Sequence, residues 1–119
     1  MRSLTSPTDL DAVCALPRAL VFKHSTRCPV SSVALAEVEA FAGANPDVPV
    51  VIVDVIARRD VARAATARFN IPHASPQAIL LVDGEAAWNA SHFGVTATTL
   101  SDAVEDSDPT RVAAPDPGA

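Results

Sequence analysis

The sequence predicts an α/β sandwich, in which helices flank a central mixed β-sheet and the elements follow the order (β)αβαβαββα. Two observations support this fold class. Short apolar runs typical of buried strands alternate with amphipathic helical segments, which is the pattern of parallel strands joined by right-handed crossovers. Near the end of the chain, Asp83-Gly84 separates two strand-like segments and predicts a closing hairpin.

The first half of the chain alternates between strand and helix signals. Residues 2–5 are predicted to form a short strand, and Ser6-Pro7 begins a helix, because serine caps helices and proline suits their first turn. Pro17 ends that helix, and residues 19–24 are expected to form a buried strand. A second helix is expected over residues 30–44, with Ser31 largely outside its apolar face. That face contains Val30, Val33, Ala34, Val38 and Phe41.

The second half of the chain continues this alternation. Residues 48–55 carry β-branched side chains on both parities, as expected for a strand covered on both faces. Residues 58–69 predict a third helix, and strands are expected at 77–82 and 85–90. Thr96 caps a last helix that runs to about Glu105. Residues 107–119 contain several prolines without periodicity, so we expect one domain over residues 1–106 followed by a disordered tail.

Composition and charge exclude several classes of protein. The chain has 119 residues, enough for one domain, and its 49% hydrophobic content excludes an intrinsically disordered protein. Its longest apolar stretch is far shorter than the roughly 20 residues of a membrane span. The N-terminus has no apolar signal core, so we expect a cytoplasmic protein without membrane partners. The net charge of −5 and the scattered arginines argue against nucleic acid as a partner.

The two cysteines, Cys14 and Cys28, are too few for a disulfide scaffold or, by themselves, for a structural zinc site, so no metal site is predicted. Cys28 lies between an apolar strand and an amphipathic helix, and Pro29 follows it directly. This order places Cys28 at the cap position, where free N–H groups and the helix dipole favour the thiolate, the nucleophilic form. The alternative is a small apolar residue buried at a turn, but the three polar residues before Cys28 argue against it.

Cys14 and Ser31 decide whether a second group assists Cys28. Cys14 is expected mid-helix, where cysteine commonly fills the core, although a role as resolving partner for Cys28 stays open. In the motif Cys28-Pro29-Val30-Ser31, serine stands where a dithiol oxidoreductase has its second cysteine. Serine cannot release a mixed disulfide, so an external thiol must do so. Ser31 could still hydrogen-bond the Cys28 sulfur, or it could be an ordinary first-turn serine.

The order of elements, with a cysteine at a strand-to-helix turn, resembles the thioredoxin arrangement. In that fold Pro76 of Ser75-Pro76-Gln77 would be cis and would lie against the nucleophile, leaving the Ser75 backbone free to pair with an incoming chain. On this segment alone, Pro76 reads as a trans proline at a strand start. His24 could act as an acid or base near the thiol, or only close its strand with a hydrogen bond. Trp88 lies near the end of the hairpin with His92, and it could serve packing alone.

Three blocks of residues together resemble the monothiol bacilliredoxins (the YtxJ-like, bacilliredoxin C type) of the thioredoxin-like superfamily. These blocks are Lys23-His24-Ser25-Thr26-Arg27-Cys28-Pro29-Val30-Ser31, Ser75-Pro76-Gln77, and Trp88-x-x-Ser91-His92 with Val95-Thr96. The resemblance covers about residues 3–105, with CPVS in place of the family's usual CPIS. It implies a thioredoxin fold with Cys28 as the single redox cysteine and with Ser31 and Pro76 in the catalytic site.

The resemblance also implies a monothiol thiol–disulfide oxidoreductase that removes bacillithiol from S-bacillithiolated proteins through a Cys28 mixed disulfide. Bacillithiol, a cysteinyl-glucosamine-malate thiol, would be the co-substrate, and neither a tightly bound cofactor nor an oligomer is expected. The malate carboxylates of bacillithiol need hydrogen-bond donors. Arg27, the hydroxyls of Ser25 and Thr26 and backbone amides near Pro76 could supply them. The other residues expected at the substrate are His24, Pro29, Ser75, Trp88 and His92.

Two other functions stay open at this point. Monothiol glutaredoxin-like proteins can share an iron–sulfur cluster between two subunits, and Cys28 with a low-molecular-weight thiol could do the same. Pro29, directly after the cysteine, narrows the space through which a cluster would approach the sulfur. The chain could also be a non-catalytic thioredoxin-like binding module in which Cys28 is inert. A visible absorption spectrum after anaerobic purification would detect a cluster, and the alkylation rate of Cys28 against pH would identify an inert thiol.

Overall fold

The computed structural model describes residues 1–107, and within them it contains five strands and four α-helices. In chain order these are β1 (Arg2–Ser3), α1 (Pro7–Cys14), β2 (Arg18–His24), α2 (Pro29–Ala44), β3 (Val50–Asp54), α3 (Arg59–Phe69), β4 (Gln77–Val82), β5 (Glu85–Ser91) and α4 (Ala97–Asp106). A 3₁₀ turn (His92–Gly94) connects β5 to α4. The predicted tail lies, except for its first residue, outside the described residues.

The five strands form one mixed sheet in the order β1-β3-β2-β4-β5. β1 and β2 both pair with β3 in parallel, whereas β4 pairs antiparallel with β2 and with β5. Lys23 of β2 is opposite Val53 on one side and Gln77 on the other. β2 and β3 therefore end where β4 begins, and we call this the carboxyl end of the sheet. The predicted fold class, an α/β sandwich with a mixed sheet between helices, is confirmed.

Alternation along the strands divides the core into two layers, one on each face of the sheet. Val21, Val53 and Ile79 point toward α1 and α3, while Leu20, Phe22 and Leu80 point toward α2 and α4. The larger of these side chains are almost completely removed from water. Because apolar burial is the main favourable term in folding, these two layers fix the helices against the sheet and hold its carboxyl end in place.

The helix caps and the hairpin form as the sequence indicates. Ser6 Oγ accepts a hydrogen bond from Asp9 N–H (3.2 Å), and Thr96 forms a reciprocal capping box with Thr99. Asp83 and Gly84 have φ of 52° and 80°, the left-handed pair that a two-residue hairpin of this type needs. A Cβ at Gly84 would lie 2.7 Å from the carbonyl oxygen of Cys14, so this position requires glycine.

The predicted bounds of β1, β3 and α1 differ most from those in the structure. β1 covers only residues 2–3, although Leu4 N–H still donates to the Ile52 carbonyl (2.8 Å). β3 begins at Val50 rather than at residue 48, and the preceding Pro49 has no N–H to donate to a ladder. Cys14 is the last residue of α1 and not in its middle, because that helix is only eight residues long.

The apolar face of α2 was predicted wrongly at two positions. Ser31 is completely buried, while Val33 is 58% exposed. The buried stripe of the helix runs through Ser31, Ala34, Val38 and Phe41, and at about 100° per residue Val33 lies ~200° from Ser31, on the opposite side. Apolar residues on both sides made two faces compatible with the sequence, and packing on the sheet selected the one that buries the serine.

Candidate functional site

Cys28 lies at the carboxyl end of the sheet as the N-cap residue of α2, with Pro29 at the first helical position, as predicted. Its side chain is partly exposed. The expected contact between the sulfur and first-turn amides is not made, since the Cys28 side chain forms no capping hydrogen bond. The N–H groups of Ser31 and Ser32 donate instead to the Cys28 carbonyl oxygen, at 3.0 and 3.2 Å. Cys28 is thus left at the positive end of a 16-residue helix.

Ser31 forms a buried polar contact directly beneath this turn. Its Oγ accepts a hydrogen bond from Ser25 N–H (2.9 Å) and shares another with His24 Nδ1 (2.7 Å). Of the two roles left open for Ser31, a bond to the Cys28 sulfur and an ordinary first-turn serine, the structure shows neither, because Ser31 Oγ bonds to the end of β2. His24 is further held by stacking on Phe22, with ring centroids 5.7 Å apart. These contacts tie the first turn of α2 to β2 and so fix where Cys28 is presented.

The loop before β4 lies at the same end of the sheet. The Ser75–Pro76 peptide bond is cis, and Pro76 is buried. The Pro76 carbonyl accepts a hydrogen bond from His92 N–H (3.0 Å), which joins this loop to the 3₁₀ turn that packs against α2. Ser75 Oγ is buried and has no hydrogen-bond partner within residues 1–107. The structure thus brings Ser75, Pro76 and His92 to the end of the sheet that carries Cys28.

Lys23 is a part of this region that the sequence analysis did not identify. It is completely buried, and its Nζ donates to Gln77 Oε1 (3.1 Å), while Gln77 Nε2 donates to the Pro72 carbonyl (3.2 Å). Burial lowers the pKa of Lys23 from 10.5 to about 8, because desolvation disfavours the ammonium form. Burial also lowers the pKa of His73, and the charge of Lys23 lowers it further. In the sequence, Lys23 is only a charged residue near the end of a strand, and nothing in the neighbouring residues indicates that it is buried.

The remaining predicted site residues divide into two groups. Ser25, Thr26, Arg27 and Pro29 flank Cys28 in the chain, with Thr26, Arg27 and Pro29 exposed. Trp88 does not belong to this site: it pairs with Leu80, three residues along β4 from Gln77, which is roughly 10 Å at strand spacing. It packs on the α2–α4 core layer instead. Packing, the alternative for Trp88, is therefore what the structure shows.

Cys14 is far from Cys28 in the fold. It is 8% exposed, so its expected role as core filler is confirmed, and burial raises the pKa of its thiol. Its carbonyl approaches Gly84, in the turn after β4, whereas the carboxyl end of the sheet is at the beginning of β4. The six residues of β4 separate the two ends by roughly 17–20 Å. A disulfide needs the two Cα atoms within about 7 Å, so Cys14 cannot resolve a disulfide on Cys28 in this fold.

Residues 1–107 offer no arrangement of three or more His, Cys, Asp or Glu side chains suited to holding a metal ion. None of the helices in that range is long and apolar enough to cross a membrane.

Comparisons with known proteins agree with this geometry. Residues 2–100 match the family described as Monothiol bacilliredoxin BrxC. A solved protein described as "A putative oxidoreductase with a thioredoxin fold" is 30% identical, with a TM-score of 0.82 over 87% of this chain and 93% of that one. Thioredoxin from Fasciola hepatica (22% identity, TM-score 0.75, 91% and 100% covered) and mitochondrial thioredoxin 3 from Saccharomyces cerevisiae (20%, 0.74, 89% and 94%) share the fold. The chain therefore belongs to the monothiol bacilliredoxin family, has a thioredoxin fold, and shares that family's thiol redox chemistry.

Proposed function

We propose that the chain is a monothiol thiol–disulfide oxidoreductase that removes bacillithiol from S-bacillithiolated proteins through a mixed disulfide at Cys28. The observation that carries the proposal is the isolation of one accessible cysteine. Cys28 is partly exposed at a helix N-terminus, the position of a second active-site cysteine is taken by the buried Ser31, and Cys14 lies at the opposite end of the sheet. Such a site can accept a thiol but cannot resolve the disulfide internally.

The reaction proceeds in two balanced exchanges. The Cys28 thiolate attacks the bacillithiol sulfur of a protein–bacillithiol disulfide; a new bond forms to Cys28 Sγ, and the protein cysteine leaves as a thiolate that takes up a proton. A second low-molecular-weight thiol, with bacillithiol as the proposed species, then attacks the bacillithiol sulfur of this mixed disulfide. Cys28 returns as a thiolate, and the two small thiols leave as their disulfide. No net oxidant or reductant is needed beyond these thiols.

The neighbouring residues position the substrate. The N-terminal end of α2 favours negative charge on the attacking or leaving sulfur. The Ser31–His24 contact keeps the first turn of α2 against β2, so the sulfur is held while its disulfide partner changes. At the same end of the sheet, we assign the Ser75 backbone to pairing with a disulfide-linked protein; His92, exposed beside Pro76, is assigned to the same substrate. We propose a cytoplasmic monomer acting on such proteins.

The test is release of bacillithiol from a purified S-bacillithiolated protein, followed by intact-mass spectrometry of both partners. With the wild-type chain present, the target protein should lose its bacillithiol, and the chain should gain one bacillithiol on Cys28. Cys28→Ser should abolish the adduct, and the matched control Cys14→Ser should retain it. An adduct that survives Cys28→Ser, or that is lost with Cys14→Ser alone, would contradict the assignment. A visible iron–sulfur absorption band after anaerobic purification would instead favour the cluster carrier.

A further inference from the structure

A groove on the α3 side of the sheet reaches the carboxyl end of the sheet, the end at which Cys28 lies. Its volume is about 500 Å³, within the range of pockets that take small molecules. Val55, directly after β3, and His73, in the loop before β4, line it. Val55 N–H donates to the carbonyl of His24 (3.0 Å), and His73 lies three residues before Pro76. The groove therefore begins next to residues bonded to His24 or close in sequence to Pro76, and it continues along α3.

One face of α3 supplies the wall of this groove. The lining residues of the helix are Arg59, Ala62, Arg63, Thr66 and Ala67. These positions recur at the i, i+3, i+4, i+7 and i+8 spacing that shares a helical face. Asp60, the acidic residue of the first turn, is outside this set. The wall combines two guanidinium groups with short side chains, which leaves room for a ligand and gives it cationic contacts.

The two arginines of the groove have no acidic partner in the described part of the chain. There the arginine ion pairs are Arg18 with Asp47 and Arg68 with Asp11, and neither includes Arg59 or Arg63. His73 adds a hydrogen-bond donor rather than a full charge near neutral pH, because burial and Lys23 lower its pKa. In a chain of net charge −5, the groove wall thus carries two arginines that form no ion pair within residues 1–107.

We propose that this groove binds the carboxylate groups of the small thiol that forms the mixed disulfide with Cys28, through the guanidinium groups of Arg59 and Arg63. Guanidinium forms paired hydrogen bonds with carboxylate, which gives both strength and orientation. The proposal rests on the proposed function and deepens it by moving the carboxylate contacts from Arg27 to α3. Arg27 is exposed in the β2–α2 loop and outside the groove.

Single-turnover thiol exchange tests this assignment with three disulfides that differ in charge. Reduced protein is mixed with bacillithiol disulfide, with mercaptosuccinate disulfide (two carboxylates on each thiol) or with the neutral bis(2-hydroxyethyl) disulfide, and the Cys28 adduct is quantified by mass spectrometry. The double variant Arg59→Gln/Arg63→Gln should slow exchange with both carboxylate-bearing disulfides roughly tenfold, and leave the neutral one within about twofold. High salt should reduce the difference in exchange rate between wild type and the double variant with the carboxylate-bearing disulfides.

Arg58→Gln is the matched control, because Arg58 is the exposed residue just before α3 and does not line the groove. It should behave as wild type with all three disulfides. Equal slowing with all three in the double variant would show a structural role and overturn the proposal. A selective loss in Arg27→Gln, with none in the double variant, would overturn it in favour of the loop.

The same experiment separates failure of the groove from failure of the proposed function. If wild type forms no adduct with bacillithiol disulfide but reacts with the other two, the choice of bacillithiol is wrong. In that case, a selective slowing of the double variant with mercaptosuccinate disulfide still tests whether the groove binds carboxylates. If wild type reacts readily with bacillithiol disulfide and the double variant matches it, the proposed function stands and the groove assignment is wrong.

Discussion

Replacing Lys23 by methionine should make the protein more stable at neutral pH. Lys23 is completely buried, with Gln77 Oε1 as its hydrogen-bond partner and no ion pair within residues 1–107. Its pKa of about 8, against the ordinary 10.5, corresponds to about 3 kcal/mol at 1.36 kcal/mol per pKa unit. This is the cost of keeping the buried amine protonated at pH 7. Methionine has a similar length and removes that cost.

The net gain is smaller, because the substitution leaves Gln77 Oε1 buried without a donor. An unsatisfied buried acceptor costs about 1–3 kcal/mol, so Lys23→Met should raise the free energy of unfolding by up to roughly 2 kcal/mol at pH 7. The folded state holds the weaker base, so between pH 8 and 10.5 the unfolded chain binds more protons than the folded one. Wild type therefore gains stability through this window, and the advantage of the variant should disappear and then reverse.

Urea unfolding followed by the fluorescence of Trp88, the single tryptophan, measures this at pH values from 7 to 10.5 under reducing conditions. The pKa of Cys14 is raised in the folded protein, so its contribution to the free energy of unfolding falls as pH rises. Both proteins contain Cys14, so this contribution cancels in the difference between them. The control is Arg58→Met, which removes an exposed cation and should differ from wild type by a pH-independent amount. A Lys23→Met difference that stays constant across the same pH range would refute the reasoning.

Three further outcomes follow from the geometry. Iodoacetamide near neutral pH should label Cys28 before Cys14, because Cys14 is buried and burial raises its pKa; equal rates in the folded protein would contradict this. Gly84→Ala should lower the free energy of unfolding by about 1–3 kcal/mol, because φ is +80° and a Cβ meets the Cys14 carbonyl, whereas Gly43→Ala has open space and should raise it by about 0.5–1 kcal/mol. Ser31→Cys should form a disulfide with Cys28 across the first turn of α2, visible by non-reducing mass spectrometry; two free thiols under oxidising conditions would count against the site.

Local signals in the sequence determined the elements and the position of Cys28, the proposed nucleophile. Ser6-Pro7, Thr96 and Asp83-Gly84 define helix starts and a turn through contacts within four residues, so they can be read without knowing the fold. Cys28 followed by Pro29 is a signal of the same kind, and the cysteine occupies the N-cap position of α2 as expected. The order of strands and helices then restricted the topology, because crossovers between parallel strands have one hand.

Only the tertiary structure decided which side chains lie at the end of the sheet that carries Cys28. The register of β2 against β4 places Lys23 opposite Gln77, 54 residues later, and no local pattern encodes that pairing. Packing of α2 on the sheet turned Ser31 inward to His24, since apolar residues on both sides of the helix left its buried face undetermined. Pairing of β4 with β5 moved Trp88 away from the site and onto the core. The groove along α3 depends on how that helix lies beside the segment containing His73, which is again a contact between distant parts of the chain. Residues close in sequence determine local structure, whereas a binding site is assembled from strand ends and loops that only the folded sheet brings together.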